Sequence, residues 1–464
     1  MTKPSLMAAC LCSAAMTAVS PAFAQDKAPD TASAAKAPPA DDAFTIGGSV
    51  RARYETYDNT FRPSGAQSAD LLSFKTMIEA QYDAGPVRFG AHLIDARGYD
   101  ADADTPLSTA DVNALELVEA YVTGELGEIA GTGTSTELTA GRFLITLGSK
   151  RLVANPGFRN TANGFTGARL DWTGASGQSL TLFYTLPQQR LPSAKADLLD
   201  NKVEWDREGD ELRFWGAFFS APVAAGANLE LYLYGLGEDD RSHKGTRNRN
   251  LITPGARIYS KSAPGKLDYE LEGAYQFGTR RSSSAAGAPE VDVSAYTLAA
   301  ALGYTFDSPI KPRLALLGNI ASGDDPDSTS YNRFDTLYGI RRGDWGPSSS
   351  LYGPLSRNNL RDLEVRAEIK PSKRVDAFLA ASTVWLDTLT DSFAKTGIKD
   401  ATGTSGRHAG AQIEGRVRYW IVPKRLQLDV GAAVLAKGEF LKSAPNVINT
   451  DDTHYLYTDL TFSF

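Results

Sequence analysis

The segment FTIGGSVRARYE, residues 44–55, alternates between two kinds of side chain. Its even positions are mostly apolar, as at Ile46 and Val50, and its odd positions are polar or charged, as at Arg51 and Arg53. A period of two is typical of a β-strand, because successive side chains of a strand point to opposite faces. The segment therefore predicts a strand with one apolar face and one charged face.

The same alternation recurs along the rest of the chain. Further runs lie near 72–82, 87–93, 114–123, 137–147, 165–173, 179–187, 212–221, 229–237, 250–260, 267–277, 293–306, 313–322, 359–369, 375–386, 408–420, 426–436 and 454–464. The last run ends on the aromatic Phe464, and it resembles the C-terminal signal read by the bacterial barrel-assembly machinery.

The connections between these runs alternate in length. Short ones include 84–86, 174–177, 264–265, 371–373 and 423–424, and long polar ones include 98–112, 188–211, 323–357 and 387–407. The segment 124–136 is a long connection on the short side. Short periplasmic turns, long outer loops and an even strand number predict an all-β fold, a transmembrane antiparallel up-and-down β-barrel of about 18 strands. A soluble β-helix or multi-sandwich protein, the alternative, would not explain the alternating lengths.

The N-terminal residues predict export. Residues 1–24 have the features of a signal peptide, with Lys3 before the apolar core Leu6–Val19 and small residues at the cleavage site Ala22–Ala24. Residues 25–42 lack apolar periodicity and predict a flexible periplasmic tail. The barrel is accordingly expected over 43–464, in the bacterial outer membrane.

Composition excludes several classes of function. Both cysteines, Cys10 and Cys12, lie in the predicted signal peptide, so disulfides and thiolate chemistry are not expected in the exported chain. A lipid anchor on Cys10 is the alternative for this segment. A net charge of −7 argues against a nucleic-acid partner.

The alternation assigns one face of each strand to lipid and the other to the lumen. Residues expected to face lipid include Val50, Ala52, Phe74, Ile78, Phe89, Leu298, Leu302, Leu363, Val365, Val417 and Tyr419. Basic residues expected to line the pore are Arg51, Arg53, Lys75, Arg88, Arg142, Arg169, Arg213, Arg257, Arg313, Arg366, Arg416 and Arg418. Guanidinium groups bind carboxylates, and a ring of them lowers the barrier to an entering anion. As many acidic residues share this face, so cross-strand ion pairs that stiffen the wall are the alternative interpretation.

Several segments resemble the alginate-export family of outer-membrane channels. They are Gly141–Phe143, Gly148–Val153, Phe165–Leu170, Trp215–Phe219, Tyr269–Gly278, Ala321–Asp325, Phe334–Tyr338, Asn359–Leu360 and Gly438–Phe440. The resemblance implies an eighteen-stranded barrel with an electropositive conduit for an acidic polysaccharide. It adds Glu270 and Glu272 to the candidate pathway residues. The chain departs from the alginate exporter at 422–425, a short turn where the exporter has a long periplasmic turn that helps to close the pore.

These patterns predict a passive channel for an anionic polysaccharide, alginate-like, or for another anionic solute, through an Arg-lined pore. An uptake porin for small anions and a barrel enzyme acting on lipid are the alternatives. The four histidines (His92, His243, His408 and His454) form no recognisable motif, so no enzymatic activity, cofactor or metal is expected. Expected partners are outer-membrane lipid and lipopolysaccharide, the barrel-assembly machinery, an anionic polysaccharide and a periplasmic export scaffold.

Overall fold

A computed structural model describes residues 43–241, 245–346 and 351–464. The predicted signal peptide, the predicted tail and His243 lie outside these residues. No helix among the residues described is long and apolar enough to cross a membrane.

The described chain consists mainly of strands. They are β1 (Phe44–Asp58), β2 (Ala69–Asp83), β3 (Val87–Tyr99), β4 (Asn113–Gly127), β5 (Ser135–Leu144), β6 (Gly164–Thr173), β7 (Ser179–Pro187), β8 (Leu212–Pro222), β9 (Ala227–Glu238), β10 (Asn250–Ser260), β11 (Lys266–Arg281), β12 (Glu290–Thr305), β13 (Arg313–Ala321), β14 (Leu360–Ser372), β15 (Val375–Trp385), β16 (His408–Val422), β17 (Leu426–Lys437) and β18 (Thr453–Ser463). Short helices are α1 (Lys195–Leu199), α2 (Arg342–Trp345) and α3 (Glu439–Ser443), with a 3-10 turn at Ala224–Gly226.

The strands form a single closed sheet. Each pairs antiparallel with its neighbours in sequence, and β1 also pairs with β18, so that Val50 lies between Phe462 and Thr76. Closure leaves no free sheet edge, which satisfies the backbone hydrogen bonds of every strand in a lipid environment. The predicted 18-stranded up-and-down barrel is confirmed, and each predicted run overlaps one strand.

The alternation along the strands separates an outer apolar surface from a polar interior. In β1 the side chain of Val50 is exposed outward, whereas Arg53 and Glu55 are buried inside. The predicted outward residues Phe74, Ile78, Phe89, Leu298, Leu302, Leu363, Val365, Val417 and Tyr419 are all exposed as well, and Ala52 is half-buried on the same face. An exposed apolar band around the whole barrel is what a lipid-facing wall requires.

Connections at one end of the barrel are short, and those at the other end are long. In the segment 124–136 only residues 128–134 form the connection, because β4 continues to Gly127 and β5 begins at Ser135. At the opposite end lie the β5–β6 loop (145–163), the β7–β8 loop (188–211), the β13–β14 loop (322–359, not described at 347–350) and the β15–β16 loop (386–407). We assign this end to the cell exterior.

These long loops fold into the barrel, and their apolar residues form its core. One cluster packs Trp345, Tyr352 and Phe393 against wall residues such as Tyr455. A second packs Phe334 against wall aromatics of β6–β9. The apolar core of this protein therefore lies within the lumen, between the loops and the wall.

Candidate solute pathway

Most of the predicted pore-lining cations are ion-paired within the wall. Arg53 pairs with Asp459 and Glu55, Arg88 with Glu137, Arg169 with Asp171, Arg257 with Glu230 and Glu270, Arg313 with Asp268 and Glu368, Arg366 with Glu364, and Arg416 and Arg418 with Asp376. Several of these bonds are short, as from Arg88 to Glu137 at 2.6 Å and from Arg257 to Glu230 at 3.0 Å. Pairing largely cancels the field of these charges at a distance.

Two further predicted cations lie on the inward side of β1 and β2. Arg51 donates to the carbonyl oxygen of Gly157 at 3.0 Å and to Oδ1 of Asn160 at 3.1 Å. Lys75 is buried and lies opposite Arg51 in the β1–β2 register. Arg51 therefore holds the β5–β6 loop against the wall.

Arg142 and Arg213 do not lie on the lumen-facing side of their strands, which corrects the expectation for both. Arg213 alternates with the buried, inward-facing Phe214 and forms a 2.5 Å ion pair with the exposed Asp239. The inward face of β8 is aromatic because it packs against the loop core, so the rule that apolar residues face lipid is reversed there. Arg142 has the same parity as the exposed Leu138.

The guanidinium of Arg142 is nevertheless held firmly at the exterior end of β5. It donates to Glu116 at 2.8 Å and to Glu208 of the β7–β8 loop at 2.7 Å. Its position fixes this loop to the barrel and leaves it no free donor face for a solute.

Glu270 and Glu272, the predicted acidic pathway residues, anchor the β5–β6 loop. Both accept from Arg151 of that loop, which also bonds Asp344 of the β13–β14 loop at 2.9 Å. At its other end the loop is held by Arg53, which donates to the carbonyl oxygen of Phe158 at 2.7 Å. Since β1 and β11 lie on opposite sides of the ring, the loop crosses the lumen.

Two neighbouring cations, one of them on the crossing loop, are not neutralised by a carboxylate of the described chain. Arg159 of the β5–β6 loop and Arg190 of the β7–β8 loop both donate to Oδ1 of Asn163, a neutral amide oxygen. The bond from Arg190 is 2.9 Å long. Within the described parts of the chain, neither forms an ion pair with a carboxylate. Burial, followed by the charge of Arg190, lowers the pKa of Arg159 well below its usual range.

Two more basic residues from other loops act on this pair. Burial lowers the pKa of Arg341, in the β13–β14 loop, to about 10. The charge of Arg341, together with those of Arg159 and Arg190, lowers the pKa of Lys395 to about 7. Because the Lys395 side chain is exposed, this cluster presents positive charge to the water of the lumen. We call Arg159, Arg190, Arg341 and Lys395 the loop cation cluster.

Sequence reasoning missed the loop cation cluster because it searched the strands for period-two faces. The loops have no such period, and nothing in their spacing aligns four cations from four segments. One signal was present. Leu152 and Phe158 are large apolar residues between the predicted runs 137–147 and 165–173, and both are buried. Apolar residues of that size indicate that a loop folds back onto the protein.

The sequence profile of the alginate export family matches residues 42–453, nearly the whole chain. The chain belongs to the alginate export family. A comparison with curated protein sequences found no match to this chain. Family membership and the closed barrel identify the protein as an outer-membrane channel.

Solved structures with the same fold come from Pseudomonas aeruginosa. OpdO has a TM-score of 0.56 at 15% sequence identity, covering 91% of this chain and 97% of that one. OccK2 (OpdF) in complex with glucuronate has a TM-score of 0.56 at 12% identity, covering 91% and 96%. The outer membrane protein opdK has a TM-score of 0.59 at 13% identity, covering 91% and 98%. At such identities the likeness concerns the fold alone.

Proposed function

We propose that this alginate-export family channel conducts carboxylate-bearing solutes, and that the loop cation cluster, rather than the wall arginines, selects them. The observation that carries the proposal is the shared contact of Arg159 and Arg190 with the single neutral oxygen of Asn163. Two cations held together without a carboxylate need an anion, and a passing solute can supply one.

The electrostatics of the lumen favour the cluster as the selecting element. A paired charge acts as a dipole whose field falls off rapidly, whereas an unpaired charge in a narrow, poorly solvated passage acts over a longer range. The paired cations of the strands therefore contribute little net field. Arg159 and Arg190, which form no ion pair within the described residues, lie on loops that fold into the barrel and narrow the passage, which is where charge decides ion selectivity.

Acidic sugars suit this arrangement. A guanidinium donates charge-assisted hydrogen bonds to carboxylates. Arg159 and Arg190 each use Nε and one terminal nitrogen to bond protein oxygens. The described residues leave the other terminal nitrogen of each, Nη1 of Arg159 and Nη2 of Arg190, to donate to a solute carboxylate. Several weak sites in series would let a uronate chain enter and also leave. The family's association with alginate export and the crystallised glucuronate complex of the P. aeruginosa porin OccK2 support this class of solute.

We test the selecting role with Arg159→Gln and Arg190→Gln together, in planar bilayers under a salt gradient. The expected result is a permeability ratio shifted from anions toward cations by about fivefold, as a loss of about 1 kcal/mol of anion stabilisation would give. Blocking by oligouronates should weaken in parallel. Glutamine keeps an NH2 donor at the end of a polar side chain, so the folded barrel should persist.

The matched control is Arg207→Gln with Lys202→Gln. Both residues lie in the same β7–β8 loop, and both side chains are exposed and ion-paired within that loop, Arg207 (74% exposed) with Glu204 and Lys202 with Asp197. The control removes the same charge and should leave the permeability ratio unchanged. An equal shift in both double variants would refute the cluster as the selecting element, as would cation preference in the unaltered channel.

A second candidate, uptake of small anionic solutes, is favoured by the loops that cross the lumen. Arg151 and Arg53 fix the β5–β6 loop at both walls, which leaves less room for a polymer than an open barrel would. Single uronates and oligouronates distinguish the two functions. A polymer conduit should show current blocks that lengthen with chain length, whereas an uptake porin should pass monomers and exclude longer chains.

A further inference from the structure

A polar pocket of about 470 Å³ lies on the outward side of the barrel, at the exterior ends of β7–β12. Tyr184 and Trp215, directly opposite each other in the β7–β8 register, form its base. The charged or amide side chains of Arg213, Asp239 and Asn250 line its upper part. We call it the rim pocket. It lies outside the lumen, so the solute pathway does not account for it.

Two glycines of β9 shape the rim pocket. A Cβ added at Gly235 would lie 2.1 Å from the indole of Trp215, so the indole lies flat on the strand only because this residue has no side chain. Gly237 is similarly covered by Arg213, whose Nε would be 3.3 Å from an added Cβ. Aromatic residues at a membrane interface are common anchors. An interfacial anchor needs only an aromatic ring. The rim pocket places a flat indole beside a guanidinium, a carboxylate and an amide, and this combination indicates a binding site.

These groups match the surface of a sugar. A pyranose ring presents C–H bonds to the flat face of an aromatic ring, and its hydroxyl groups both donate and accept hydrogen bonds. Arg213 supplies donors, Asp239 supplies acceptors, and Asn250 supplies both. The Arg213 and Asp239 side chains are 38% and 55% exposed, so their polar edges are available from the membrane side.

An apolar groove of about 620 Å³ lies below the rim pocket on the same outward surface. Small residues such as Pro254, Ala256 and Gly273 form its floor, and Tyr296 and Leu298 flank them. The β10–β11 ladder is interrupted at Pro254, which has no N–H to donate. The groove is therefore a recess in the lipid-facing wall.

The pocket and the groove share strands and are aligned along them. Asn250 in the pocket and Pro254 in the groove are four residues apart on β10, roughly 13 Å along a strand. The two sites together offer polar and aromatic contacts at the headgroup level of the outer leaflet, with an apolar channel directly beneath. Their order matches a molecule with a sugar headgroup above and hydrocarbon chains below.

We propose that the rim pocket and the groove together bind one lipopolysaccharide molecule of the outer leaflet, with its sugar headgroup against Trp215 and Tyr184 and an acyl chain over Gly273. The site is independent of the solute pathway, because it lies on the other side of the wall. It attaches a defined lipid to one side of the barrel, β7–β13.

The test uses native mass spectrometry of the full-length channel extracted in mild detergent and incubated with purified lipopolysaccharide. The unaltered channel is expected to retain one molecule. Trp215→Ala removes the sugar platform. Gly273→Leu fills the groove, since an added Cβ there meets nothing closer than Leu298 at 3.5 Å. Each variant should raise the dissociation constant, measured by titrating the lipid, about tenfold, as about 1.4 kcal/mol of lost binding would give.

Matched controls lie elsewhere on the outward surface. Tyr99→Ala removes an exposed aromatic at the exterior end of β3, and Gly415→Leu adds the same bulk to an outward glycine of β16, with similar clearance. Both should retain the lipid, and heat-modifiable gel mobility shows whether each variant is folded. Phosphatidylglycerol, which has chains but no sugar ring, should be retained poorly. The proposal is overturned if folded Gly273→Leu binds as the unaltered channel does, or if phosphatidylglycerol is retained equally well.

Discussion

In the loop cation cluster, the charge of Lys395 responds to pH within the physiological range. The repulsion from Arg341, Arg159 and Arg190 lowers its pKa to about 7, so it is a cation in mild acid and neutral in mild base. Loss of this positive charge weakens the loop cation cluster. Anion preference should therefore fall as pH rises from about 6 to about 8. Reversal potentials recorded across that range measure the fall.

Two substitutions isolate the contribution of Lys395. Lys395→Met should remove most of the pH dependence and hold the channel at its high-pH selectivity, whereas Lys395→Arg should hold it at the low-pH selectivity. Asp206, whose pKa is raised by burial and by Glu116 to about 7, titrates in the same window. It is buried and bonded to Asn113 at 2.8 Å. If Asp206→Asn, and not Lys395→Met, removed the pH dependence, Lys395 would not be the sensor.

At the scale of elements, the crossing of the lumen by the β5–β6 loop depends on Arg151. Replacing it with methionine removes the cation that Glu270, Glu272 and Asp344 share, although Glu270 keeps Arg257 and Asp344 keeps Arg357. Breaking such a buried network from one side costs about 3–5 kcal/mol. We expect the loop to detach from β11, with higher single-channel conductance and larger current fluctuations. Bilayer recordings measure both.

The control for this element is Arg88→Met. Arg88 is also paired, with Glu137 at 2.6 Å, but it lies at the periplasmic end of β3 and touches no long loop. Its conductance should match that of the unaltered channel. Unchanged conductance and noise in Arg151→Met would show that the loop is held by its apolar contacts alone.

The strands could be predicted from the sequence, and the loops could not, for a physical reason. A strand in a membrane wall must alternate, because one side meets lipid and the other meets polar groups, so Val365 is found where its parity puts it. The β5–β6 loop obeys no such rule. Arg159 acquires its role from Arg190, a neighbour brought close only by folding. Arg213 was misplaced because the aromatic core of the lumen reverses the polarity of β8.

At the scale of the whole molecule, stability depends on the lipid-facing band. Val365 is 56% exposed and lies midway along β14. Val365→Arg should cost roughly 2–4 kcal/mol in the free energy of unfolding from lipid vesicles, because the charge lies at mid-membrane depth. Leu126→Arg, outward at the periplasmic end of β4, should cost only about 0–1 kcal/mol. Urea titration in vesicles compares them, and equal costs would contradict this orientation in the bilayer.

The pairing of wall charges bears on how such channels diverge. Because most wall cations already have a carboxylate, as Arg313 has Asp268, a change of cargo needs no new charge on any strand. Exchanging Arg159 or Lys395 alters the loop cation cluster and leaves the strands unchanged. Assembly of the barrel depends on those strands. Channels that descend from one ancestral barrel can thus come to conduct different solutes through loop substitutions alone. For protein engineering, the same barrel is a scaffold onto which other loops can be grafted to change its selectivity.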